Sequence, residues 1–145
     1  MNRYLLKRIG ALMLAVAAIA LVAGGCASAP KQPDNVQNVV CGTKTIEWDV
    51  TPEAEISDFD CQLGKKGMDP ALIVTMALKN VSDKPLRFKV HVFLEDMDKA
   101  SGHLVPRKGK PPVVAPGAVE KVNIPFIKTA AMSKKMLVVV KAMSE

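Results

Sequence analysis

Five segments of the chain alternate apolar and polar side chains, and this alternation constrains the fold more than any other feature. The segments are Thr45–Val50, 72–78, 86–94, 122–126 and 136–140. Side chains on a β-strand point alternately to its two faces, so each segment would bury one face and expose the other. After the leader, no segment shows an apolar stripe of helical period and length. The alternation therefore predicts an all-β domain.

Turn-forming residues between these segments suggest how the strands connect. Residues 80–85, which contain Asn, Ser, Asp and Pro, separate the second and third segments and predict an antiparallel hairpin. We interpret 96–102 as a polar turn, 106–112 as a basic loop and 127–134 as a short helical turn. Pro125 falls on the outward side of its segment, which indicates an edge strand or a strand's end. About seven short strands joined by turns predict a single antiparallel β-sandwich.

The first 25 residues have the pattern of a cleaved signal peptide. Arg3, Lys7 and Arg8 provide a cationic start, and residues 9–25 are uncharged and almost all apolar. These seventeen residues are marginally short for a membrane-spanning helix, which needs about 20.

Residues 22–26, Val-Ala-Gly-Gly-Cys, end this leader and resemble the lipobox of bacterial lipoproteins. That pattern is an apolar residue, two small residues and an obligatory Cys; Ala23 stands where the family most often has Leu. The resemblance implies cleavage before Cys26, a diacylglycerol thioether on Cys26 and usually an amide-linked third acyl chain. Several chains give stable anchoring. Because Ala27 rather than Asp follows Cys26, the resemblance also implies the outer membrane, facing the periplasm.

Two other interpretations of the leader remain open. Ala27, Ser28 and Ala29 form an A-x-A site for ordinary secretion, although Pro30 would follow that cut. An uncleaved leader would instead act as an anchor helix.

Residues 27–39 are rich in Ala, Pro, Asn and Gln, which predicts a flexible tether. The predicted organisation is a signal peptide in 1–25, a lipidated Cys and tether in 26–40, and a β-sandwich domain in 41–145.

A second, weaker resemblance covers about residues 71–142 and depends on the order of turn motifs. A strand is followed by residues 80–85, a strand, Glu-Asp-Met-Asp at 95–98, Ala-Pro-Gly at 115–117 and another strand. This order resembles the immunoglobulin-like domains of small bacterial envelope lipoproteins, in particular the periplasmic lipoproteins of the YcfL type. The resemblance implies an immunoglobulin-like sandwich in the cell envelope. That family supplies no catalytic residues.

The remaining cysteines suit an oxidising compartment. If Cys26 is lipidated, Cys41 and Cys61 form an even pair in an exported protein, which predicts a structural disulfide. A bond closing a loop of about twenty residues would contribute on the order of 3 kcal/mol on the chain-entropy account. Free thiols and metal or redox use remain alternatives, although the spacing is far from C-x-x-C.

The basic composition does not indicate nucleic-acid binding. Removing residues 1–25 removes three cations and no acid, which lowers the formal net charge from +6 to +3. Acids and bases are interspersed in the rest of the chain, and aromatic residues make up only 4% of it, so phosphate binding and base stacking are poorly supplied.

Motifs for catalysis are missing, and the candidates for binding are few. The sequence contains no G-x-S-x-G, Walker loop, H-E-x-x-H or C-x-x-C, which predicts a protein that is not an enzyme. Two histidines are candidates: His91, and His103 in a loop bounded by Gly and Pro. An acidic group, Glu53, Glu55, Asp58 and Asp60, suits Ca²⁺. The thioethers of Met132, Met136 and Met143 suit Cu(I), and Arg107, Lys108 and Lys110 form a basic loop. A solvated polar face, a solvated loop and core packing explain most of these candidates better than ligand binding does. The basic loop could contact anionic lipid or cell-wall polymers.

The sequence thus predicts a membrane-anchored envelope lipoprotein that acts as a non-catalytic binding or accessory module through its β-sandwich. We expect an envelope protein as its partner, no cofactor and no bound metal. The alternative is a periplasmic lipoprotein that binds a small ligand or a metal through the acidic loop or the Met and His side chains.

Overall fold

The computed structural model describes residues 31–143, which form two four-stranded sheets. The strands β1 to β8 are, in chain order, Val39–Val40, Thr45–Val50, Ala54–Lys66, Asp69–Asn80, Arg87–Leu94, Lys99–Val105, Val119–Ile127 and Lys135–Met143. A 3₁₀ turn, Glu95–Met97, joins β5 to β6. The first sheet has the order β1-β3-β4-β7 and the second has the order β2-β8-β5-β6. The predicted all-β class is confirmed.

Both sheets are mixed, so the prediction of a purely antiparallel architecture is wrong. β1 pairs with β3 and β2 pairs with β8 in parallel, while the other neighbours in each sheet are antiparallel. The two parallel strands follow one another in the chain and occupy one edge of each sheet. A parallel pair needs a connection that crosses between elements, which a pattern of local turns does not reveal.

The inward side chains of the two sheets meet in a single core. The largest fully buried side chains come from both sheets, and they include Ile56, Phe59, Leu72, Phe88, Leu94 and Met136. Trp48 of β2 and Phe59 of β3 contact each other across the sheets, with ring centroids 4.9 Å apart. Each such buried side chain contributes about 1.5–3 kcal/mol of transfer free energy.

The five alternating segments are all strands. Thr45–Val50 is β2, and the other four segments lie almost entirely within β4, β5, β7 and β8. β7 is an edge strand of the first sheet, so the interpretation of Pro125 is confirmed. Alternation succeeded here because each of these strands has one face on the core.

Three strands are absent from the sequence prediction, for different reasons. β1 is only two residues long and lies at the end of the predicted tether. β3 contains three of the four residues of the predicted acidic group, and its register shifts by one residue at a β-bulge between Ile56 and Asp58. The bulge places Ile56 and Phe59 on the same face three residues apart, which breaks the period of two. β6 includes residues 99–102 of the predicted polar turn, because it is a mostly polar edge strand without a clear alternation.

The predicted hairpin between β4 and β5 is wrong, because these strands belong to different sheets. The turn itself is real, and the buried Asn80 side chain organises it. Its amide donates to the carbonyls of Lys84 and Val114 at 2.7 and 2.8 Å, and its oxygen accepts from the amide and hydroxyl of Ser82. Asn80 therefore stabilises the turn through which the chain passes from the first sheet to the second.

Residues 128–134 do not form the predicted helical turn. The Asp96 carboxylate accepts hydrogen bonds from the Ser133 hydroxyl at 2.5 Å and from the Lys134 amide at 2.9 Å. The Lys99 ammonium donates to the carbonyls of Ile127 and Lys128, both at 2.9 Å. Asp96 and Lys99 thus make hydrogen bonds to backbone amide and carbonyl groups that would bond to one another in a helix.

The folded part of the chain begins earlier than the predicted boundary at residue 41. Val36 is 3% exposed and forms a bridge with Ile56, and the Asn35 amide donates to the Ala54 carbonyl at 3.0 Å. β1 then continues along β3. The last part of the predicted tether is therefore packed on the first sheet. The signal peptide, Cys26 and residues 27–30 lie outside the described residues.

The predicted disulfide between Cys41 and Cys61 is confirmed, with Cα atoms 4.7 Å apart. It links the connection between β1 and β2 to β3. None of the helical structure within residues 31–143 is long and apolar enough to cross a bilayer.

Replacing Asn80 with Ala should lower the free energy of unfolding by about 2–4 kcal/mol, because it removes four side-chain hydrogen bonds from a buried position. Chemical denaturation of the non-reduced protein measures this loss. Asn123→Ala removes an exposed amide that bonds only the Thr75 hydroxyl in the described part of the chain, and should cost far less. Equal losses in the two variants would contradict the role given to Asn80.

The Asp96 contacts predict a stability that falls in acid. Hydrogen bonds from Ser133 and then from Lys134 lower the pKa of Asp96 from 3.8 to about 2. Its stabilising effect is therefore complete above the unfolded pKa and is lost as the pH falls through the folded value. Asp96→Asn should be less stable than the natural protein at neutral pH, and the difference should shrink between pH 4 and pH 2.

Thermal melts across this pH range test the prediction, with Asp98→Asn as the matched control. That variant removes the same charge two residues away, and should not change the acid dependence in the same way. A constant difference between Asp96→Asn and the natural protein at every pH would refute it.

Candidate ligand-binding site

A cleft of about 660 Å³ opens where the edge strands β6 and β7 of the two sheets approach each other. We call it the basic cleft, and its lining residues are Lys65, Lys66, Ile73, His103, Arg107, Asn123 and Pro125. They come from β3, β4, β6, β7 and the segment after β6. Side chains from distant parts of the sequence thus share one surface.

The hairpin of β3 and β4 carries the two lysines. Its strands pair as far as Lys66 and Asp69, so the turn consists of Gly67 and Met68. Gly67 has a φ of +65°, which glycine adopts without the steric cost that a side chain would impose. Pairing with β7 ends at Ala71, so the end of the hairpin extends past its neighbour. Lys65 and Lys66 are exposed there, beside the cleft.

His103 lies on strand β6 and not in the loop that the sequence suggested. It is opposite Val90, and cross-strand partners share a face, so its side chain is on the inward face of the second sheet at that sheet's edge. Nδ1 is 2.9 Å from the carbonyl oxygen of Gly102. Because a carbonyl only accepts, Nδ1 carries a proton and donates it.

The second ring nitrogen of His103 has no hydrogen-bond partner among residues 31–143. Nε2 is buried and makes no hydrogen bond within the described residues. Burial, and next the charge of Arg107, lower the pKa of His103. The imidazole is therefore biased towards its neutral form, with Nε2 as an unused acceptor in the wall of the cleft.

The surroundings of the cleft are positively charged. Lys65, Lys66 and Arg107 supply three cations, and none of the described residues with a carboxylate lines the cleft. An adjoining cleft of about 210 Å³ shares His103 and Arg107 and adds Glu120 and Lys121. Cations grouped on one concave surface produce a positive potential there, which attracts anions.

Only one cation of the predicted basic loop belongs to this site. Arg107 lines the cleft, whereas Lys108 and Lys110 are exposed outside its lining. His91 lies on the outer face of the second sheet, where its ring packs over Gly102: a Cβ added at Gly102 would be 2.6 Å from His91 Cδ2. The two histidines of the chain therefore occupy different environments.

The predicted acidic group does not converge. Glu55, Asp58 and Asp60 are spread along β3; Asn38 donates to Asp58 at 3.4 Å and Gln62 donates to Asp60 at 2.7 Å. The Thr51 hydroxyl donates to Glu53 and lowers the pKa of that carboxyl. Across residues 31–143 no group of three or more His, Cys, Asp or Glu side chains could hold a metal ion.

The three methionines do not converge either. Met136 is fully buried in the core, and Met132 lies next to Gly42, where an added Cβ would be 3.5 Å from its Cγ. Met143 is seven positions after Met136 on the same strand, roughly 23 Å away at 3.3 Å per residue. The structure thus provides no common site for these thioethers.

Sequence reasoning missed Lys65, Lys66 and Asn123 as site residues. The pair Lys65-Lys66 before Gly67 is a visible signal of a basic turn, but its proximity to Arg107 depends on the sheet order.

Comparison of the chain with protein-family models, curated proteins and solved structures found no match.

Replacing Arg107 with Gln should raise the pKa of His103, because it removes the second of the two causes that lower it. Burial remains, so the pKa should stay below the ordinary value of a histidine. NMR titration of ¹³C-labelled histidine in the exported protein measures the change, and His91 gives a second signal in the same spectrum. Lys89→Gln removes one exposed cation from the outer face of the second sheet and should leave His103, which is on the inward face, unchanged. An unchanged His103 in Arg107→Gln would contradict this electrostatic account.

Proposed function

We propose that the protein is a lipid-anchored envelope lipoprotein whose β-sandwich is a non-catalytic binding module, with the basic cleft as its ligand site. The observation that carries the proposal is the convergence of Lys65, Lys66 and Arg107 on one cleft. Grouping like charges is unfavourable for the folded protein on its own, and an anionic ligand would offset that repulsion.

Export supports the cell-envelope location. The leader ends in a lipobox-like sequence at Cys26, and the disulfide between Cys41 and Cys61 belongs to the kind of bond that persists in oxidising compartments. If Cys26 is the lipidated residue, then Cys41 and Cys61 use the other two cysteines of the chain, and no thiol is left over.

An immunoglobulin-like sandwich is the fold that best fits the two sheets. They have four strands each, and their inward faces share one core. Sandwiches of this kind present loops and strand edges for binding. The proposed binding site lies at such a place, between two edge strands.

The composition of the cleft supports binding without catalysis. Its lining holds one imidazole, one amide and three fixed cations, and among the described residues it contains no Ser, Cys, Asp or Glu that His103 could activate or be oriented by. This arrangement suits recognition of an anion.

The alternative of a small-ligand-binding lipoprotein is favoured by the size of the cleft. At about 660 Å³ it falls within the range of small-molecule sites, which is roughly 300–1,000 Å³. Native mass spectrometry of protein released gently from membranes distinguishes a module that binds a small ligand from an accessory module that binds a protein partner. A bound small molecule supports ligand binding, and a stoichiometric protein subunit supports the accessory role.

Membrane fractionation tests the anchor. The natural chain should sediment with membranes and resist high-salt washing, because acyl chains and not surface charges hold it. The same domain exported behind a signal peptide that lacks the lipobox should be found in the soluble periplasmic fraction. A natural chain that fractionates as soluble, or a lipobox-free chain that stays with the membrane, would refute the anchor.

A further inference from the structure

We propose that the basic cleft binds a phosphate-bearing organic ligand, in which a phosphate monoester or diphosphate is attached to an apolar body. This proposal rests on the function proposed above and names the ligand class for the same site. It follows from the charge, the apolar floor and the unpaired polar atoms of the cleft.

The number of cations favours phosphate over a single carboxylate. Lys65, Lys66 and Arg107 bring three positive charges to the cleft. A phosphate monoester carries about −1.5 to −2 at neutral pH and offers three acceptor oxygens, whereas a carboxylate carries only one charge. The Arg107 guanidinium can make paired hydrogen bonds to a phosphate, and lysines act as additional point charges.

The floor of the cleft favours a ligand with an apolar body. Ile73 and Pro125 are cross-strand partners on the outer face of the first sheet, and both are partly exposed in the cleft. Gly64 adjoins Ile73, and a Cβ at Gly64 would lie only 3.3 Å from Ile73 Cδ1. The absence of a side chain at Gly64 keeps this apolar surface accessible.

Asn123 and His103 add polar groups at the same place. The Thr75 hydroxyl donates to the Asn123 oxygen at 3.0 Å, and within the described residues no hydrogen bond uses the Asn123 NH₂ group. His103 Nε2 is similarly unpaired. A phosphate could accept from the amide, and a proton could lie between the phosphate and Nε2.

Ligand binding and protonation of His103 should therefore favour each other. The charged residues that line the two clefts with His103 are Lys65 and Lys66 of β3, Arg107, and Glu120 and Lys121 of β7. These four cations outnumber the one carboxylate, Glu120, so without a ligand the site disfavours the protonated form of His103. A bound phosphate would offset these cations and raise the pKa of His103.

The chain direction favours a ligand outside the anchoring bilayer. β1 runs parallel to β3, and Val36 lies beside Ile56, near the start of β3. Lys65 is nine residues further along that strand, roughly 30 Å from Ile56 at 3.3 Å per residue. A tether attached near the start of β3 therefore leaves the lysines at the far end, so we assign the ligand to soluble phosphate esters and not to lipid headgroups.

Histidine NMR on the exported protein in neutral detergent tests the proposal directly. Phenyl phosphate is the probe, and inorganic phosphate and benzoate each lack one of its two features. Phenyl phosphate should shift the His103 signals and raise the pKa of His103 while His91 stays unchanged. It should bind about tenfold more tightly than benzoate, because it carries more charge and more acceptors, and more tightly than inorganic phosphate.

Charge variants show whether the cleft is the site. Arg107→Gln should weaken phenyl phosphate binding roughly three- to tenfold, whereas Lys89→Gln should change it less than about twofold. Equal effects of the two variants, or shifts of both histidines, would overturn the assignment to the cleft. Benzoate binding as tightly as phenyl phosphate would overturn the phosphate assignment.

A lipid probe distinguishes the source of the phosphate. Soluble dihexanoyl phosphatidylglycerol should bind more weakly than phenyl phosphate, and tighter binding of this lipid would overturn the assignment to soluble esters. These readouts are independent of membrane fractionation. A protein that sediments with membranes but does not bind phenyl phosphate would retain the proposed anchor and lose the proposed ligand.

Discussion

The disulfide between Cys41 and Cys61 fixes the place where the chain first passes from one sheet to the other. β1 and β2 are edge strands of different sheets, and the residues between them contain Cys41, which is bonded to Cys61 on β3. β1 is only two residues long, so its ladder contributes little by itself. The covalent link keeps the crossing against the first sheet, and next to it Trp48 packs on Phe59 across the two sheets. The disulfide therefore joins the connection between the two parallel edge strands to the first sheet.

The opposite edges of the two sheets meet without a covalent link, and the candidate binding site lies there. β6 and β7 lie side by side but are not neighbours in either sheet. At one end Lys99 bridges them by donating to carbonyls at the end of β7. At the other end His103 and Arg107 face the basic cleft. Lys99 thus bridges the two sheets at one end of β6. Towards the other end, the space between the sheets widens into the basic cleft, which Lys65, Lys66 and Arg107 line.

Local regularity explains how much of the fold the sequence predicts. The alternation in β2, β4, β5, β7 and β8 is visible because each has one face on the core. The shift in register at Ile56 breaks the alternation in β3. β6 is an edge strand whose mostly polar composition shows no clear alternation. Residues 80–85 resemble a hairpin turn because their residue types suit any tight turn. The change of sheet after β4 is visible only in the strand pairing, which those residue types do not reveal. The disulfide was predictable because an even pair of cysteines in a chain with an export-type leader suggests a structural bond.

The candidate site was predictable only in part. Arg107 stood out as a member of a basic loop, and His103 was recognised as a candidate without its position on β6. Lys65 and Lys66 lie about forty residues before them in the sequence, and nothing local indicates that a hairpin end would reach the same cleft. Side chains brought together by sheet order leave no spacing pattern in a sequence, unlike ligands on one helix or in one loop.

The three cysteines provide the most direct measurement of the central claim, which is that this is an exported domain tied to a membrane through one cysteine and braced internally by the other two. Peptide mapping by mass spectrometry, on protein purified from membranes without reductant, reads all three at once. The account predicts an acylated N-terminal peptide that begins at Cys26, and a peptide containing Cys41 joined to one containing Cys61. An unmodified Cys26 behind an intact leader, or a disulfide that includes Cys26, would contradict it.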